Sequence, residues 1–318
     1  MSSQVAPSTP VAVLGQSPVA ATRGIARPPR SLDPERVIAA ILLGLALTAF
    51  SGLAVITAFI FKEGVPIMLK VGVKDFIFSS DWHPLEGNFG ILPMIVGSLA
   101  VTAGAMVIGV VFGLGCAVLL TQFCSPRLVN VIKPAIELLA GIPSVVYGFI
   151  GVAILVPFIR DHLGGPGMSV LAASIVLGVM MLPTITSISV DALRAVPKSY
   201  AEGSVALGAT EWQTTHMVIL KAARSGIVAA VILGMGRAIG ETMAVIMVAG
   251  NTLTVPTGPL DPVRTLTSNI ALEMGYAAGD HRKALFATGV VLFLIIMVLN
   301  TIALTVSRRR AKGKVLAR

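Results

Sequence analysis

Charged side chains are scarce in this chain of 318 residues. Only 12% of the residues are Asp, Glu, Lys or Arg, 5% are aromatic, and 55% are apolar. A water-soluble domain normally carries about 25% charged residues. The shortage of charge therefore excludes an ordinary soluble domain and indicates a polytopic membrane protein.

Cysteine is also scarce, with Cys116 and Cys124 as the two thiols. Their separation corresponds to roughly 12 Å along a helix, which is too far for a disulfide within one segment. Two thiols are too few for a structural zinc site. The histidines are scattered along the chain, at His83, His162, His216 and His281. We therefore predict neither a disulfide scaffold nor a metal centre.

Motifs for ATP hydrolysis are missing as well. The chain lacks the phosphate-binding loop G-x-x-x-x-G-K-[ST], and its stretch Gly164, Gly165 and Gly167 has no Lys in the required place. No Ser-His-Asp arrangement is evident either. The sequence predicts no catalytic residue and no cofactor, so any ATP hydrolysis would belong to a partner subunit.

Long apolar runs are abundant. About 20 apolar residues are needed to cross a hydrocarbon core of roughly 30 Å as a helix. Six stretches meet this requirement, which predicts an all-α polytopic membrane protein with about six transmembrane helices. The predicted spans cover residues 37–61, 91–121, 136–159, 168–190, 226–250 and 284–306.

The distribution of Lys and Arg indicates the orientation, because cytoplasmic loops carry an excess of both. With both termini cytoplasmic, 16 of these residues lie inside and 7 outside. Residues 1–36 are predicted to form a disordered leader without a signal peptide, and residues 307–318 a basic tail. The net charge of +9 is then a topology signal, which we favour over nucleic-acid binding.

Residues 191–225 form the longest predicted cytoplasmic loop, and they carry helix signals. Ser199 with Glu202 and Thr210 with Gln213 match the capping-box pattern. Gly208 stands between them, where a helix end favours a left-handed residue. The second of the two predicted helices places four side chains on one side: Trp212, His216, Ile219 and Leu220. The pattern leaves open whether this loop docks a partner or only connects two spans.

The same loop resembles the EAA loop of ABC importer permeases. Residues 202–204, Gly208 and residues 218–220 stand at that family's spacing of E-A-A, G and I-x-L-P, with Lys221 in place of Pro. The resemblance implies a coupling helix over residues 200–215 that docks on a nucleotide-binding subunit. The coupling residues that it implies are Glu202, Gly208, Ala209 and Thr210.

A second motif is more specific. Residues 234–244, GMGRAIGETMA, are similar to the signature of phosphate importer permeases of the PstC type. Residues 137–148, ELLAGIPSVVYG, resemble the third-span motif of the same group. Permeases for sulfate and molybdate share the R-A-x-G-E core, so the core indicates an oxyanion and the T-M-A continuation favours phosphate.

This resemblance implies a permease subunit of an ATP-driven importer in the plasma membrane of a prokaryote. The implied partners are a second permease in a heterodimer, two copies of a nucleotide-binding ATPase, and an extracytoplasmic phosphate-binding protein. A self-sufficient secondary transporter is the alternative from a different class. The loop at 191–225 favours the importer, because a secondary transporter needs no docking loop.

Arg237 and Glu241 are charges inside the predicted fifth span. Arg237 lies roughly 18 Å from the start of that span, close to the bilayer midplane. As an i,i+4 pair, the two residues form either a structural ion pair or part of a solute path, in which Arg237 binds a tetrahedral oxyanion and Glu241 orients it. The resemblance adds Thr242 to that path.

Small residues and prolines mark the packing of the predicted spans. Gly236 and Gly240 form a small-xxx-small stripe that favours close helix packing, and the same spacing begins at Gly109. Pro143 and Pro183 are predicted to kink their spans, because each lacks the N–H that continues a helix.

Overall fold

The computed structural model describes residues 34–312. The predicted leader therefore lies outside the described residues except for its last three positions, as do residues 313–318 of the tail. The chain divides into two compact units, Met1–Ala54 and Val55–Arg318. Residues 34–54 of the first unit are helical, and their described side chains are exposed.

The helices follow one another with few strands between them. In the first half of the chain, the elements are α1 (Pro34–Val71), α2 (Val73–Phe78), β1 (Trp82–His83), a 3-10 turn (Pro84–Glu86), β2 (Asn88–Phe89), α3 (Leu92–Val118), a π-helical turn (Leu119–Phe123), α4 (Pro126–Ala140), α5 (Ser144–Ile150), a second π-helical turn (Gly151–Leu155), α6 (Val156–His162) and α7 (Val170–Arg194). Strands β1 and β2 pair antiparallel, with Trp82 opposite Phe89.

The second half contains the shorter helices. Its elements are α8 (Lys198–Ala206), α9 (Glu211–Gln213), a third π-helical turn (Thr214–Ile219), α10 (Leu220–Ala222), α11 (Arg224–Gly240), α12 (Met243–Val248), α13 (Leu266–Glu273) and α14 (Gly279–Lys312). Val263 N donates to the Ala249 carbonyl at 2.8 Å. This bond closes the loop between α12 and α13.

Within the described residues, five helical stretches are long and apolar enough to cross a membrane. They are Val37–Val71, Leu92–Phe123, Ser144–His162, Val170–Arg194 and Gly279–Thr305. A sixth crossing exists if the helices Glu211–Ala222 and Arg224–Gly240, which meet at 70°, form one broken span. The predicted all-α fold with about six spans is confirmed.

The third span starts at Ser144 and not at residue 136, so its predicted beginning is wrong. Helix α4 ends at Ala140, and Pro143 takes an extended ψ of 141° directly before α5. Proline cannot donate to a helix and disfavours helical geometry in the residue before it. Pro143 therefore begins a helix here, whereas we predicted a kink within one.

The fifth predicted span, residues 226–250, is not one helix. Helix α11 ends at Gly240, Glu241 has extended backbone angles (φ −70°, ψ 135°), and α12 begins at Met243. A hydropathy pattern reports which residues are apolar and cannot reveal this break, because apolar residues continue on both sides of it. The break lies inside the signature motif at 234–244.

Helices α3 and α7 form the centre of the core through very close contact. A Cβ atom added to Gly113 would lie 2.9 Å from Ile185 Cγ2, and one added to Gly178 would lie 2.7 Å from Ile108 Cγ2. The predicted packing role of the stripe that begins at Gly109 is thus confirmed. Helix α7 continues through Pro183 to Arg194.

Gly236 and Gly240 differ from that stripe. Apart from neighbouring backbone of the same helix, no atom of the described residues lies within 4 Å of a Cβ atom added to either glycine. Their predicted packing role therefore stays a prediction, and it would require a helix from another chain.

Candidate functional site

The candidate site is the interruption between α11 and α12. Arg237 lies in the last turn of α11, where a cation interacts favourably with the helix dipole. Glu241 and Thr242 form the interruption itself, and the Thr242 hydroxyl donates to the Gly240 carbonyl at 3.3 Å. A broken helix of this kind places free backbone groups and a charge at one point.

Glu241 stabilises the interruption through its own contacts. Its Oε1 atom accepts a hydrogen bond from Ala244 N at 3.3 Å, which satisfies a free N–H at the start of α12. Its carbonyl oxygen accepts from Thr267 Oγ1 at 2.9 Å, and this bond ties α13 to the interruption. These contacts explain why the chain leaves helical geometry at Glu241.

The structural ion pair between Arg237 and Glu241, one of the two alternatives from the sequence, is not formed within the described part of the chain. The i,i+4 spacing brings two side chains together only along a continuous helix, and α11 ends between these two residues. The structure therefore separates the predicted site residues into a cation on α11 and a carboxylate that supports the turn.

Arg237 is exposed and lines an open groove together with residues of α7, α11 and α14. Among the described residues, Arg237 has neither a hydrogen bond nor an ion pair. The lining residues are Thr184, Ala229, Ile232, Leu233, Gly236, Arg237, Asn300 and Leu304. The guanidinium is also close enough to the Tyr147 hydroxyl to interact electrostatically with it. Arg237 is thus available to a solute or a partner.

A buried polar cluster holds α13 in place, and sequence reasoning missed it. Arg264 Nη1 donates to Glu273 Oε1 at 2.7 Å, and the other oxygen of Glu273 accepts from Trp82 Nε1 at 2.9 Å. His281 Nε2 lies 2.8 Å from that second oxygen. Glu273 is only 6% exposed. Nothing in the local sequence pairs these residues, because they come from four separate segments.

The loop before α13 is also ordered by a carboxylate. Asp261 Oδ2 accepts from the Thr257 hydroxyl, Thr257 N and Gly258 N, each at 2.8 Å. These hydrogen bonds, with the one from the Thr257 hydroxyl as the largest contribution, lower the pKa of Asp261. The loop that follows α12 is therefore a defined structure.

The predicted coupling loop contains two helical segments around Gly208, as expected. Gly208 has a φ of +85°. Thr210 and Gln213 form the predicted capping box, with Thr210 N donating to Gln213 Oε1 at 2.9 Å and Gln213 N to Thr210 Oγ1 at 3.3 Å. Ala209 is half-buried next to the exposed Thr210. These local predictions are confirmed.

Two details of that loop were predicted wrongly. Helix α8 begins at Lys198 after Pro197, so Ser199 lies inside the first turn and does not cap it with Glu202. The four side chains predicted on one side also separate. Trp212 and His216 stack at 6.1 Å and are exposed, whereas Ile219 is buried. The π-helical turn over Thr214–Ile219 changes the helical register that the prediction assumed.

These features define a polytopic α-helical membrane protein, in which an Arg without a partner among the described residues lies beside a broken helix. Residues 109–312 match the family described as "Binding-protein-dependent transport system inner membrane component". The chain belongs to this family and is a permease of the ABC transporter type, as the resemblance in its motifs indicated.

Curated relatives cover most of the chain. It is 43% identical over 281 residues to a probable ABC transporter permease protein, YqgH, of Bacillus subtilis, covering 85% of this chain and 90% of the relative. It is 35% identical to the phosphate transport system permease protein PstC of Xylella fastidiosa strain 9a5c, with coverages of 82% and 87%. PstC 1 of Mycobacterium tuberculosis is 36% identical, with coverages of 71% and 75%.

Solved structures support the fold. A bacterial alginate ABC transporter matches with a TM-score of 0.59 at 16% identity, covering 87% of this chain and 99% of that chain. The MetNI methionine ABC transporter, in inward-facing conformations, matches with a TM-score of 0.54 at 22% identity, covering 69% and 97%. At these identities the similarity concerns the fold alone.

Proposed function

We propose that this chain is the permease subunit through which an ATP-driven importer moves inorganic phosphate across the plasma membrane of a prokaryote. The observation that carries the proposal is Arg237, a cation without a protein partner among the described residues, in an open groove beside a helix interruption. Intramembrane charges usually mark a solute path. The names of the PstC relatives supply the solute.

Arg237 has the chemistry that this solute requires. A guanidinium presents a planar fork of N–H donors that matches two oxygens of a phosphate. Because no carboxylate of the described chain holds that fork, its donors are free for the anion. A single Arg without further cations also keeps binding weak enough for release. Glu241 and Thr242 contribute by holding the interruption open at the end of α11.

The partners that we propose are those expected for a permease of this family. A second permease completes the path as a heterodimer, and two copies of an ATPase subunit supply the energy from the cytoplasm. The ATPase contact is the segment from α8 to α10, where Glu202, Gly208 and Thr210 are exposed. A phosphate-binding protein delivers the anion at the opposite side. The termini and the coupling loop face the cytoplasm in this arrangement.

The experiment is uptake of radiolabelled phosphate by cells that lack this chain and are complemented with it. We expect the chain to restore uptake, and excess unlabelled sulfate or molybdate to leave it unchanged. Restored uptake that is abolished by sulfate would assign the permease to another oxyanion. Uptake that persists when the copurifying ATPase is inactivated would identify a secondary transporter instead.

A further inference from the structure

Asn300 is a polar side chain in an apolar part of α14. The sequence around it reads Phe293-Leu-Ile-Ile-Met-Val-Leu before it and Thr301-Ile-Ala-Leu after it. Asn300 is half-buried, and among the described residues its amide has no hydrogen-bond partner. A polar group in lipid without a partner is costly. An amide at this place in α14 therefore indicates a ligand or a partner for it.

Thr184 on α7 shares this property. Hydroxyl groups in membrane helices usually donate to a carbonyl of their own helix. Thr288 and Thr301 do so, donating to Ala284 and Met297 carbonyls at 2.9 and 2.7 Å. The Thr184 hydroxyl, by contrast, has no partner within the described residues, and Thr184 lines the groove.

Both side chains line the groove that contains Arg237. The remaining lining residues are apolar or glycine: Ala229, Ile232, Leu233, Gly236 and Leu304. Arg237, Thr184 and Asn300 are thus the polar side chains of this groove, and each comes from a different helix. Together they offer a positive charge, a hydroxyl and an amide to whatever occupies the groove.

The hydrogen-bonding capacity of the three residues is complementary. Arg can only donate hydrogen bonds, whereas the Thr hydroxyl and the Asn amide both donate and accept. Phosphate at neutral pH keeps at least one P–OH group, and sulfate of the same tetrahedral shape has no hydroxyl. Only an acceptor in the groove can use this difference, because a guanidinium donates to either anion. A site built to hydrogen-bond a substrate hydroxyl strongly rejects the analogue that lacks it.

We infer that Asn300 is a specificity-determining residue of the permease, whose amide oxygen accepts a hydrogen bond from the P–OH group of the phosphate that Arg237 holds, with Thr184 as a neutral donor to the same anion. The inference rests on the proposed function and deepens it. In the proposed function, Arg237 recognises the charge of the anion. Asn300 would in addition distinguish an oxyanion that carries a hydroxyl from one that does not.

The test is equilibrium binding of phosphate and of sulfate to the permease complex purified through a tag on this chain, without a binding protein. We expect Asn300→Leu to reduce phosphate affinity by about tenfold, the loss of one hydrogen bond to a charged ligand, and to leave sulfate affinity within about twofold. Thr184→Val should weaken both anions alike. The matched control is Thr301→Val, because the Thr301 hydroxyl already donates to its own helix.

Three results would overturn the inference. In the first, Asn300→Leu has no effect on phosphate binding. In the second, it weakens the binding of both anions equally. In the third, it prevents copurification of the partner subunits, which would assign Asn300 to helix packing. Wild-type chain that binds sulfate more tightly than phosphate would instead contradict the proposed function. A wild-type preference for phosphate that Asn300→Leu does not change would contradict this inference alone.

Discussion

Arg237 is the residue on which the proposed solute path depends, and its charge is a cost to the membrane fold. A guanidinium in a membrane span is costly unless water or a partner satisfies it. The groove formed by α7, α11 and α14 keeps the guanidinium exposed, and the end of α11 supplies a favourable dipole. A structural residue would instead be paired, as Arg264 is with Glu273.

This difference predicts the effect of removing the charge. Arg237→Gln should assemble with its partner subunits at near-normal levels and lose at least about 90% of phosphate uptake, because a bidentate charge-assisted contact contributes about 1.5–3 kcal/mol. Arg237→Lys should retain part of the uptake, since a point charge replaces the fork. The measurements are uptake in complemented cells and the amount of complex in membranes.

Arg224→Gln is the matched control, because Arg224 lies at the other end of the same helix. Two results would refute the proposed role of Arg237: a membrane complex that no longer forms in Arg237→Gln, or uptake equal to that of the unaltered chain.

Glu273 shows the opposite case, a buried charge with a structural role. It interacts with Arg264, Trp82 and His281 at once. We expect Glu273→Gln to destabilise the purified complex by about 3–5 kcal/mol, because it leaves the partly buried Arg264 without a counter-charge. Thermal unfolding measures the loss. Glu86→Gln, at an exposed carboxylate in the 3-10 turn, should change the unfolding temperature little, and an equal loss in both variants would contradict the argument.

At the scale of elements, the proposed coupling loop depends on one backbone geometry. Gly208 has a left-handed φ of +85°, and a Cβ added there would meet no described atom within 4 Å. Gly203, inside α8, has the same free space but helical geometry. The two glycines therefore separate backbone strain from steric contact.

Substitutions at these glycines should act in opposite directions. Gly208→Val should disfavour the turn and reduce both ATPase copurification and uptake, because β-branched residues are strained at positive φ. Gly203→Ala should preserve or slightly stabilise α8, by up to about 1 kcal/mol. Pull-down of the ATPase through this chain measures the effect. Normal recovery of the ATPase with Gly208→Val would disprove the coupling role of the turn.

The elements also show what a sequence can predict. The apolar runs revealed the spanning helices, because burial in lipid demands an apolar side chain at nearly every position. The turn at Gly208 and the Thr210–Gln213 box were predictable, since both depend on neighbouring residues alone. The interruption at Glu241 was not, because part of its support comes from Thr267, which lies 26 positions along the chain. The groove of Arg237 with Thr184 and Asn300 was missed for the same reason.

At the scale of the whole molecule, exposed apolar side chains define the environment. In the Val55–Arg318 unit, large side chains of the spanning helices are exposed, including Val107, Phe112, Phe149, Ile154 and Met297. A soluble monomer does not expose apolar surface on this scale. In our proposal, lipid and the second permease cover this apolar surface. In this proposal, the loop that contains Leu85 and the loop that contains Leu207 lie on opposite sides of the membrane.

The proposed orientation can be tested with single cysteines at exposed positions. Leu85, in the 3-10 turn, is 101% exposed, and Leu207, next to Gly208, is 91% exposed. In a chain with Cys116 and Cys124 replaced by Ala, we expect an impermeant thiol reagent to label Leu85→Cys in intact cells and to label Leu207→Cys only after the cells are opened. The membrane excludes the reagent from the cytoplasmic side, where the excess of Lys and Arg predicts residue 207 to lie. Because both positions are equally accessible to solvent, a difference in labelling reports the side of the membrane and not local burial. Labelling of Leu207→Cys in intact cells would show that the topology is the reverse of the proposed one. The proposed coupling loop could then not contact an ATPase in the cytoplasm.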